Sequence, residues 1–441
     1  MPKLFGTSGV RGPAATLFTS EFCQKLGVSF ARFLSNHQQL GPVCIGIDNR
    51  QSSPRIQSSL LQGLALQGRE VVNLGVVPVP AAHYAHLSSS FVGAIMVTGS
   101  HIDTESNGVK FFAFKEEITK SHESEIESIF DNISSQFLDT KYQILNTDLG
   151  FNNYLENLLA HLDSPIKINK VVLDTGNGGQ TEIIKALFRE ANIPFAAIND
   201  HLQESLLSRD TESDGSFQEL SEKVVSEHAD LGVGFDSDGD RLVLADHLGK
   251  IIPGDYLGSL ISQYFAGESI VCPINVSNVV NYLSKEVYRT KVGSPYVVEK
   301  MKSTSSILGF ESNGGVIHGD NMFSRDGGLS LVRVLNILNW TKSNLKDLID
   351  KFPHFHQIKT KFNCPFDQYQ NIYDQAQSFL IPKFIDRTDG VKLILDDSSW
   401  VLFRGSGNAP EFRIFVESDS ITKATDLKIQ ALKFARNIVH V

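Results

Sequence analysis

The stretch GFDSDGDR, residues 234–241, places Asp236, Asp238 and Asp240 at alternate positions directly after an apolar run. Three carboxylates this close repel one another, and a cation is the simplest way to keep all of them ionised. Oxygen-only ligands favour Mg2+ or Ca2+ over zinc. An EF-hand is excluded, because its loop would need glycine at position 241 and glutamate at 247, where Arg241 and His247 stand. The competing reading is a solvated acidic turn whose aspartates serve as caps.

A second stretch, MVTGSHIDTESNGVKFF at 96–112, ends an apolar strand on Ser100 and His101 and carries Lys110 ten residues after the serine. A serine beyond a strand end can be a nucleophile, and a lysine whose pKa is lowered by burial or nearby cations can move protons. Ser-His adjacency is weak evidence for a hydrolase triad, because neighbouring side chains point apart and no G-x-S-x-G elbow is present. Read alone, the stretch is a serine turn followed by a hairpin turn at Asn107-Gly108.

Two further loops offer polar groups. GFESNGG at 309–315 presents Glu311, Ser312 and Asn313, donors and acceptors suited to sugar hydroxyls, and reads equally as a plain Asn-Gly turn. FRGSGNAPEFRIF at 403–415 combines Arg404, Ser406, Gly407, Asn408 and Arg413. Glycine lets backbone amides approach an anion and arginine supplies a bidentate fork, a combination that captures phosphate. No Walker A or G-x-G-x-x-G motif is present to assign that phosphate to a nucleotide.

The elements that must carry these loops alternate. Strand patterns at 43–48, 70–74 and 93–98 are separated by helical patterns after 53 and 80, which suggests parallel βαβ crossovers. A polar, unpatterned stretch near 138–150 reads as a boundary. The pattern restarts with strands at 170–175, 194–198 and 230–235 and helices from 181 and 216. A third cycle holds strands at 269–275 and 307–310, with helices near 279–287 and 297–303. Beyond 351, strands at 357–362, 391–395, 400–403 and 412–416 outnumber the helices from 368 and 422, the mark of a smaller α+β domain. The expected division is an α/β domain at 1–145 with the serine loop, one at 146–245 with the acidic loop, one at 246–350 with the sugar loop, and an α+β domain at 351–441 with the phosphate loop.

At 441 residues the chain exceeds a single core, and 41% apolar with 20% charged residues is ordinary globular composition. A formal charge of −10 argues against nucleic acid or an anionic membrane as main partner, while small anions remain compatible. Cys23, Cys44, Cys272 and Cys364 show neither disulfide nor zinc spacing and read as buried thiols. No signal-peptide pattern or apolar run of membrane-spanning length occurs, so the expected location is the cytoplasm.

Taken in order, the four loops and five further matches resemble the α-D-phosphohexomutase superfamily, the phosphoglucomutase and phosphomannomutase enzymes. The further matches are FGTSGVRG at 5–12, GVVPVP at 75–80, GNG at 176–178, TKVG at 290–293 and RDG at 325–327. The resemblance implies a four-domain α/β architecture with mixed sheets around a central cleft, and interconversion of hexose 6-phosphate and hexose 1-phosphate, with mannose phosphate favoured and glucosamine or glucose phosphate as the alternative. It implies a phosphoserine at Ser100, Mg2+ held by Asp236, Asp238, Asp240 and an oxygen on phosphorylated Ser100, and a hexose 1,6-bisphosphate as intermediate and activator. Lys110 would be the acid/base, with Arg11 and His101 beside the transferring group. Arg241, Glu311 and Asn313 would bind substrate, and Arg404, Ser406, Gly407, Asn408 and Arg413 would grip the phosphate that is not reacting. A monomer or homodimer acting on a small hexose phosphate is expected. The chain departs from the family pattern at Ile102-Asp103, where Asn-Pro is usual, and in its sugar loop, where Asn313 stands in place of serine and Gly315 in place of histidine.

Overall fold

The computed structural model describes residues 4–6, 9–133, 144–213, 215–396, 398–407 and 410–439. They fold as two compact units, Met1–Gly254 with Asn313–Lys346, and Asp255–Ser312 with Asp347–Val441.

The first unit contains two mixed sheets. In one, the strand order is Val10–Pro13, Ser106–Ala113, Gly93–Val97, Val43–Ile47, Val71–Val76 and Ile144–Asn146. The last four run parallel, while Ser106–Ala113 is antiparallel to both of its neighbours. The apolar runs demand this arrangement, since Val43–Ile47 and Gly93–Val97 are buried along their whole length between helices. One of those helices, Ser20–Asn36, starts at Thr19, whose hydroxyl accepts the Phe22 N–H at 3.2 Å. Its Phe30 and Phe33 enter a core with Phe18 and Phe111. The other sheet runs Ile251–Ile252, Leu242–Asp246, Leu231–Phe235, Val171–Asp174 and Phe195–Ile198, with the last three parallel. A hairpin of Val316–His318 and Met322–Arg325 then leads into the helix Gly327–Thr341, capped by Asp326, which accepts the Leu329 N–H at 2.9 Å.

In the second unit, Ser269–Pro273 pairs in parallel with Glu286–Thr290 and with Leu308–Phe310. An antiparallel sheet follows in the order His356–Asn363, Glu411–Ser418, Trp400–Gly405, Val391–Ile394 and Phe384–Asp386. The amphipathic helix Ile421–Val439 packs on it through Leu427, Ala431 and Ala435. The fold class is therefore α/β with mixed sheets plus a C-terminal α+β part, as the strand and helix patterns suggest.

Two local expectations fail. Asn107-Gly108 is not a turn but lies inside the strand Ser106–Ala113. There the Asn107 amide donates to Ser52 Oγ at 2.8 Å and Ser53 Oγ at 3.0 Å, so its polarity serves a neighbouring helix start. The helix expected at 279–287 is a short 3-10 turn, Asn278–Tyr282, followed by the strand Glu286–Thr290. Val287, Tyr288 and Thr290 suit a pleated surface, and pairing with Ser269–Pro273 overrides the local helical spacing. The boundary stretch near 138–150 contains an edge strand, Ile144–Asn146, and the start of the helix Leu149–Ala160, while residues 134–143 lie outside the described residues.

All four cysteines are free and buried, as their spacing implied. Among the described residues no helix is long and apolar enough to cross a membrane.

One core residue makes a stability prediction. Lys392 is buried in the Val391–Ile394 strand, its ammonium 3.8 Å above the Trp400 ring and donating to the Ile274 carbonyl at 2.7 Å. Burial, reinforced by Arg289 and opposed by Glu417, pushes its pKa down from 10.5 to about 7. Between those values the unfolded chain binds a proton that the folded chain does not, so this group makes stability rise with pH from about 7 towards 10.5. Lys392→Met should flatten the curve, removing a slope that approaches about 1.4 kcal/mol per pH unit. Urea unfolding of both proteins at several alkaline pH values measures the difference; parallel curves would refute the assignment.

Candidate active site

The strand Gly93–Val97 delivers Ser100 into a fully buried position with φ of 51°, in the left-handed region that costs a non-glycine residue about 1–3 kcal/mol. Other bonds must therefore hold it. The Ser100 N–H donates to Thr98 Oγ1 at 2.8 Å, and the Thr98 hydroxyl donates to Asp238 Oδ2 at 3.3 Å. The main restraint is Arg50, whose guanidinium donates to the carbonyls of Ser100 at 2.6 Å, Ile102 at 2.9 Å and Asp103 at 2.7 Å. Arg50 Nε in turn donates to Asp48 Oδ2 at 3.1 Å, and Asp48 also accepts the Gly99 N–H at 3.2 Å. A side chain at Gly99 would start 2.6 Å from the Arg50 guanidinium, so only glycine lets the arginine reach under the loop. The Asp103 carboxylate accepts from Ser106 Oγ at 3.2 Å and closes the loop.

The acidic triplet lies beside this serine. Ser100 Oγ donates to Asp236 Oδ2 at 3.3 Å and lies 3.3 Å from His101 Nδ1. Asp236, Asp238 and Asp240 are all buried and offer carboxylate oxygens within 4.8 Å of one another. Burial, followed by Asp238 and Asp240, raises the Asp236 pKa well above the usual carboxylate range. Asp238 Oδ1 and Asp240 Oδ1 are buried without a hydrogen-bond partner among the described residues. Unpaired buried carboxylate oxygens are costly, and three of these groups converging fit a hard divalent cation.

Cations ring the triplet. Lys110 Nζ donates to Asp238 Oδ2 at 3.0 Å and Asp240 Oδ2 at 3.2 Å. Arg325 Nη2 donates to Asp240 Oδ2 at 2.7 Å, and Arg241 Nε lies 3.5 Å from Asp236 Oδ2. Arg11 sits opposite Gly108 on the neighbouring strand, its pKa lowered by burial and by Arg241 and Arg325, against the pull of Asp238 and Asp240. The lowered pKa that would suit Lys110 to proton transfer is absent here: burial lowers it, but Asp238 and Asp240 outweigh burial and raise it. His101 is held neutral at about 2, chiefly by Arg241, then by burial and the other arginines.

The family-like motifs without obvious chemistry explain how the acidic loop is held. The Val79 N–H, in VPVP, donates to the Asp238 carbonyl at 2.9 Å, and the Gly179 N–H donates to Ser237 at 3.1 Å. Gln180 Nε2 donates to the Gly239 carbonyl at 3.0 Å. Gly239 adopts φ of +67°, and a side chain there would start 2.4 Å from Gln180 Cγ and 2.9 Å from Pro78 Cβ.

The remaining residues form separate groups. Asn313, in the first unit, accepts from Thr211 Oγ1 at 2.7 Å through its carbonyl and from the Gly315 N–H at 3.0 Å through its side chain. In the second unit Glu311 is buried, and the adjacent Ser312 Oγ accepts from Asn275 Nδ2 at 3.2 Å. Also there, Arg404 and Arg413 stand directly opposite on paired strands. Asp389 Oδ2 accepts from Arg404 Nε at 2.6 Å, and the Arg413 fork is 40% exposed, 3.8 Å from Glu411. The Ser406 N–H donates to the Glu411 carbonyl at 2.9 Å, and Gly407 is exposed. Asn408 lies outside the described residues.

The structure brings together Ser100, His101, Lys110, the three aspartates, Arg241 and Arg11, and adds Asp48, Arg50 and Arg325, which the sequence reading did not single out as part of the candidate site. The RDG motif carried a signal for Arg325. For Asp48 and Arg50, the available signal was an Asp-x-Arg directly after the buried strand Val43–Ile47.

Residues 2–137, 152–249 and 246–355 match, in turn, the alpha/beta/alpha domains I, II and III of phosphoglucomutase/phosphomannomutase. The chain is 32% identical over 445 residues to the phosphoglucomutase/phosphomannomutase of Thermococcus kodakarensis, with 97% of each chain covered. It is 30% identical over 440 residues to the phosphoglucosamine mutase of Oceanobacillus iheyensis, with 95% of each covered. Its fold superposes on a phosphoglucomutase/phosphomannomutase family protein from Burkholderia thailandensis with a TM-score of 0.86 at 21% identity, covering 99% of this chain and 97% of that one. Full-length relatives of this kind, and three family domains in order along the sequence, mean that the chain belongs to the phosphoglucomutase/phosphomannomutase family of the α-D-phosphohexomutase superfamily and is a phosphohexomutase of the isomerase class.

Proposed function

We propose that this phosphohexomutase interconverts the 6-phosphate and 1-phosphate of glucosamine, through a phosphoserine at Ser100 and a 1,6-bisphosphate intermediate. The observation that carries the chemistry is Ser100 Oγ at 3.3 Å from Asp236, within a ring of buried aspartates and basic side chains. The amino sugar is favoured by the phosphoglucosamine mutase of Oceanobacillus iheyensis among the full-length relatives. Mannose phosphate is the second reading, supported by the Glu-x-Asn-Gly-Gly form of the sugar loop and by the Thermococcus kodakarensis relative.

Asp236, Asp238 and Asp240 would hold Mg2+, which when bound supplies positive charge against the transferring phosphoryl group. When the phosphoryl group leaves Ser100, the Oγ–P bond breaks and a bond from the sugar hydroxyl oxygen to phosphorus forms. Lys110, held as an ammonium in the resting site, hands a proton to the departing Oγ and takes up the one the hydroxyl sheds, so charge and protons balance. Arg241, Arg325 and Arg11 stabilise the phosphoryl oxygens during transfer. Neutral His101 orients Oγ. Glu311 and Asn313 bind sugar hydroxyls, while Arg404, Ser406, Gly407, Asn408 and Arg413 hold the non-reacting phosphate. The intermediate must turn end over end between the two transfers, which is why the distal grip is needed at all.

A coupled assay with the 6-phosphates of glucosamine, mannose and glucose, with Mg2+ and a hexose 1,6-bisphosphate primer, tests this directly. Glucosamine phosphate should give the highest kcat/KM; a higher value for mannose establishes the second reading. Release of inorganic phosphate without isomerisation would sink both.

A further inference from the structure

Residues 207–211, Leu-Ser-Arg-Asp-Thr, belong to none of the loops assigned chemistry, yet they touch two of them. The Ser208 hydroxyl donates to the carbonyls of Ile102 and, at 3.4 Å, Ser100, and Arg50 Nη2 donates to Ser208 Oγ at 3.2 Å. Three residues on, the Thr211 hydroxyl donates to the Asn313 carbonyl at 2.7 Å. The middle is anchored. Arg209 makes two parallel bonds to the buried Asp174 carboxylate, at 2.6 and 2.8 Å, and its guanidinium lies 4.2 Å from the centre of the Phe217 ring. The Leu207 N–H donates to the Gly176 carbonyl at 2.9 Å. A bidentate pair at a buried carboxylate is among the stiffest polar contacts available to a side chain.

We propose that residues 207–211 are a positioning strap that couples the Ser100 loop to the backbone at Asn313. With Arg209 fixed at its centre, the hydroxyls of Ser208 and Thr211 cannot shift independently. The strap therefore ties the carbonyl of the phosphoryl-carrying serine to the loop that begins at Asn313, and sugar binding at that loop sets the alignment of Ser100. Ser208 and Thr211 act through other residues, as positioning groups. The inference rests on Ser100 as the phosphoryl carrier, so its test includes a readout independent of turnover.

Thr211→Val removes one hydroxyl and keeps the side-chain shape. Amide hydrogen exchange should accelerate about fivefold both at 313–315 and, across the strap, at 98–104, as expected for the loss of one net hydrogen bond. Ser208→Ala should produce the same pair of changes, and Thr211→Ser should restore wild-type rates at both places. In steady state each variant should lower kcat more than it raises KM, and the double variant should fall short of the product of the singles. If Thr211→Val accelerates exchange at 313–315 alone, or if the kinetic effects multiply independently, the strap is refuted. If exchange is coupled but the wild type isomerises no hexose phosphate, the strap stands and the functional reading fails. A variant that loses thermal stability with exchange raised throughout the chain also counts against the proposal, since it makes the segment a general structural support.

Discussion

Ser100→Ala should abolish both the covalent phosphoryl mass on the protein and isomerisation, with kcat reduced about 10^4-fold or more, the scale expected when a covalent carrier is lost from an otherwise intact site. Intact mass spectrometry before and after priming with a hexose 1,6-bisphosphate, run beside the coupled assay, reads both. Retained phosphate on the alanine variant would place the carrier elsewhere. The backbone supplies an independent check. Because Ser100 sits at φ of 51°, Ser100→Gly should be equally inactive yet within about 1 kcal/mol of wild-type stability. A β-branched valine at the same position should destabilise by several times that amount. If valine is tolerated, the loop does not hold this conformation in solution.

Arg50→Ala should be the most damaging change among residues that lie outside the reacting groups. It removes the donors that grip the carbonyls of Ser100, Ile102 and Asp103 and leaves Asp48 buried without its ion-pair partner. Breaking a buried pair of this kind costs about 3–5 kcal/mol. The serine loop, released, should lose about 10²-fold in kcat, since misplacement of a reacting group by about an ångström has that effect. Denaturant unfolding gives the first quantity and the coupled assay the second. Arg50→Lys, which keeps the charge and loses the fork, should recover part of the stability and little of the rate. A folded Arg50→Ala protein with near wild-type turnover would contradict this account of the loop.

Much of this molecule could be read from its sequence, for identifiable reasons. The parallel strands are apolar throughout because both faces are covered, which makes 43–47, 93–97 and 231–235 visible without a partner. The acidic triplet announces itself because three carboxylates at alternate positions have few structural uses. What escaped depends on distance along the chain. Ser100 meets Asp236 across 136 residues, and Arg50 meets the carbonyl of Ser100 across 50. Only an Asp-x-Arg after a buried strand sets Arg50 apart from a surface arginine, and nothing local marks Asn107-Gly108 as strand when that dipeptide is a favoured hairpin turn. Lys110 stands out by type and place, but against burial its pKa is raised by Asp238 and Asp240, which lie 128 and 130 residues away in the loop after the strand Leu231–Phe235. The four loops of the proposed site are legible separately, whereas the contacts that align them are not.

The grip of Arg50 on the Ser100 loop is made through main-chain oxygens. Peptide carbonyls are the same whatever residue bears them, so the Arg50 bonds make no demand on the side chain at 102, whereas the Asp103 carboxylate also accepts from Ser106 Oγ. Position 102 is therefore the tolerant place in this loop for exchanging residues when redesigning access to Ser100.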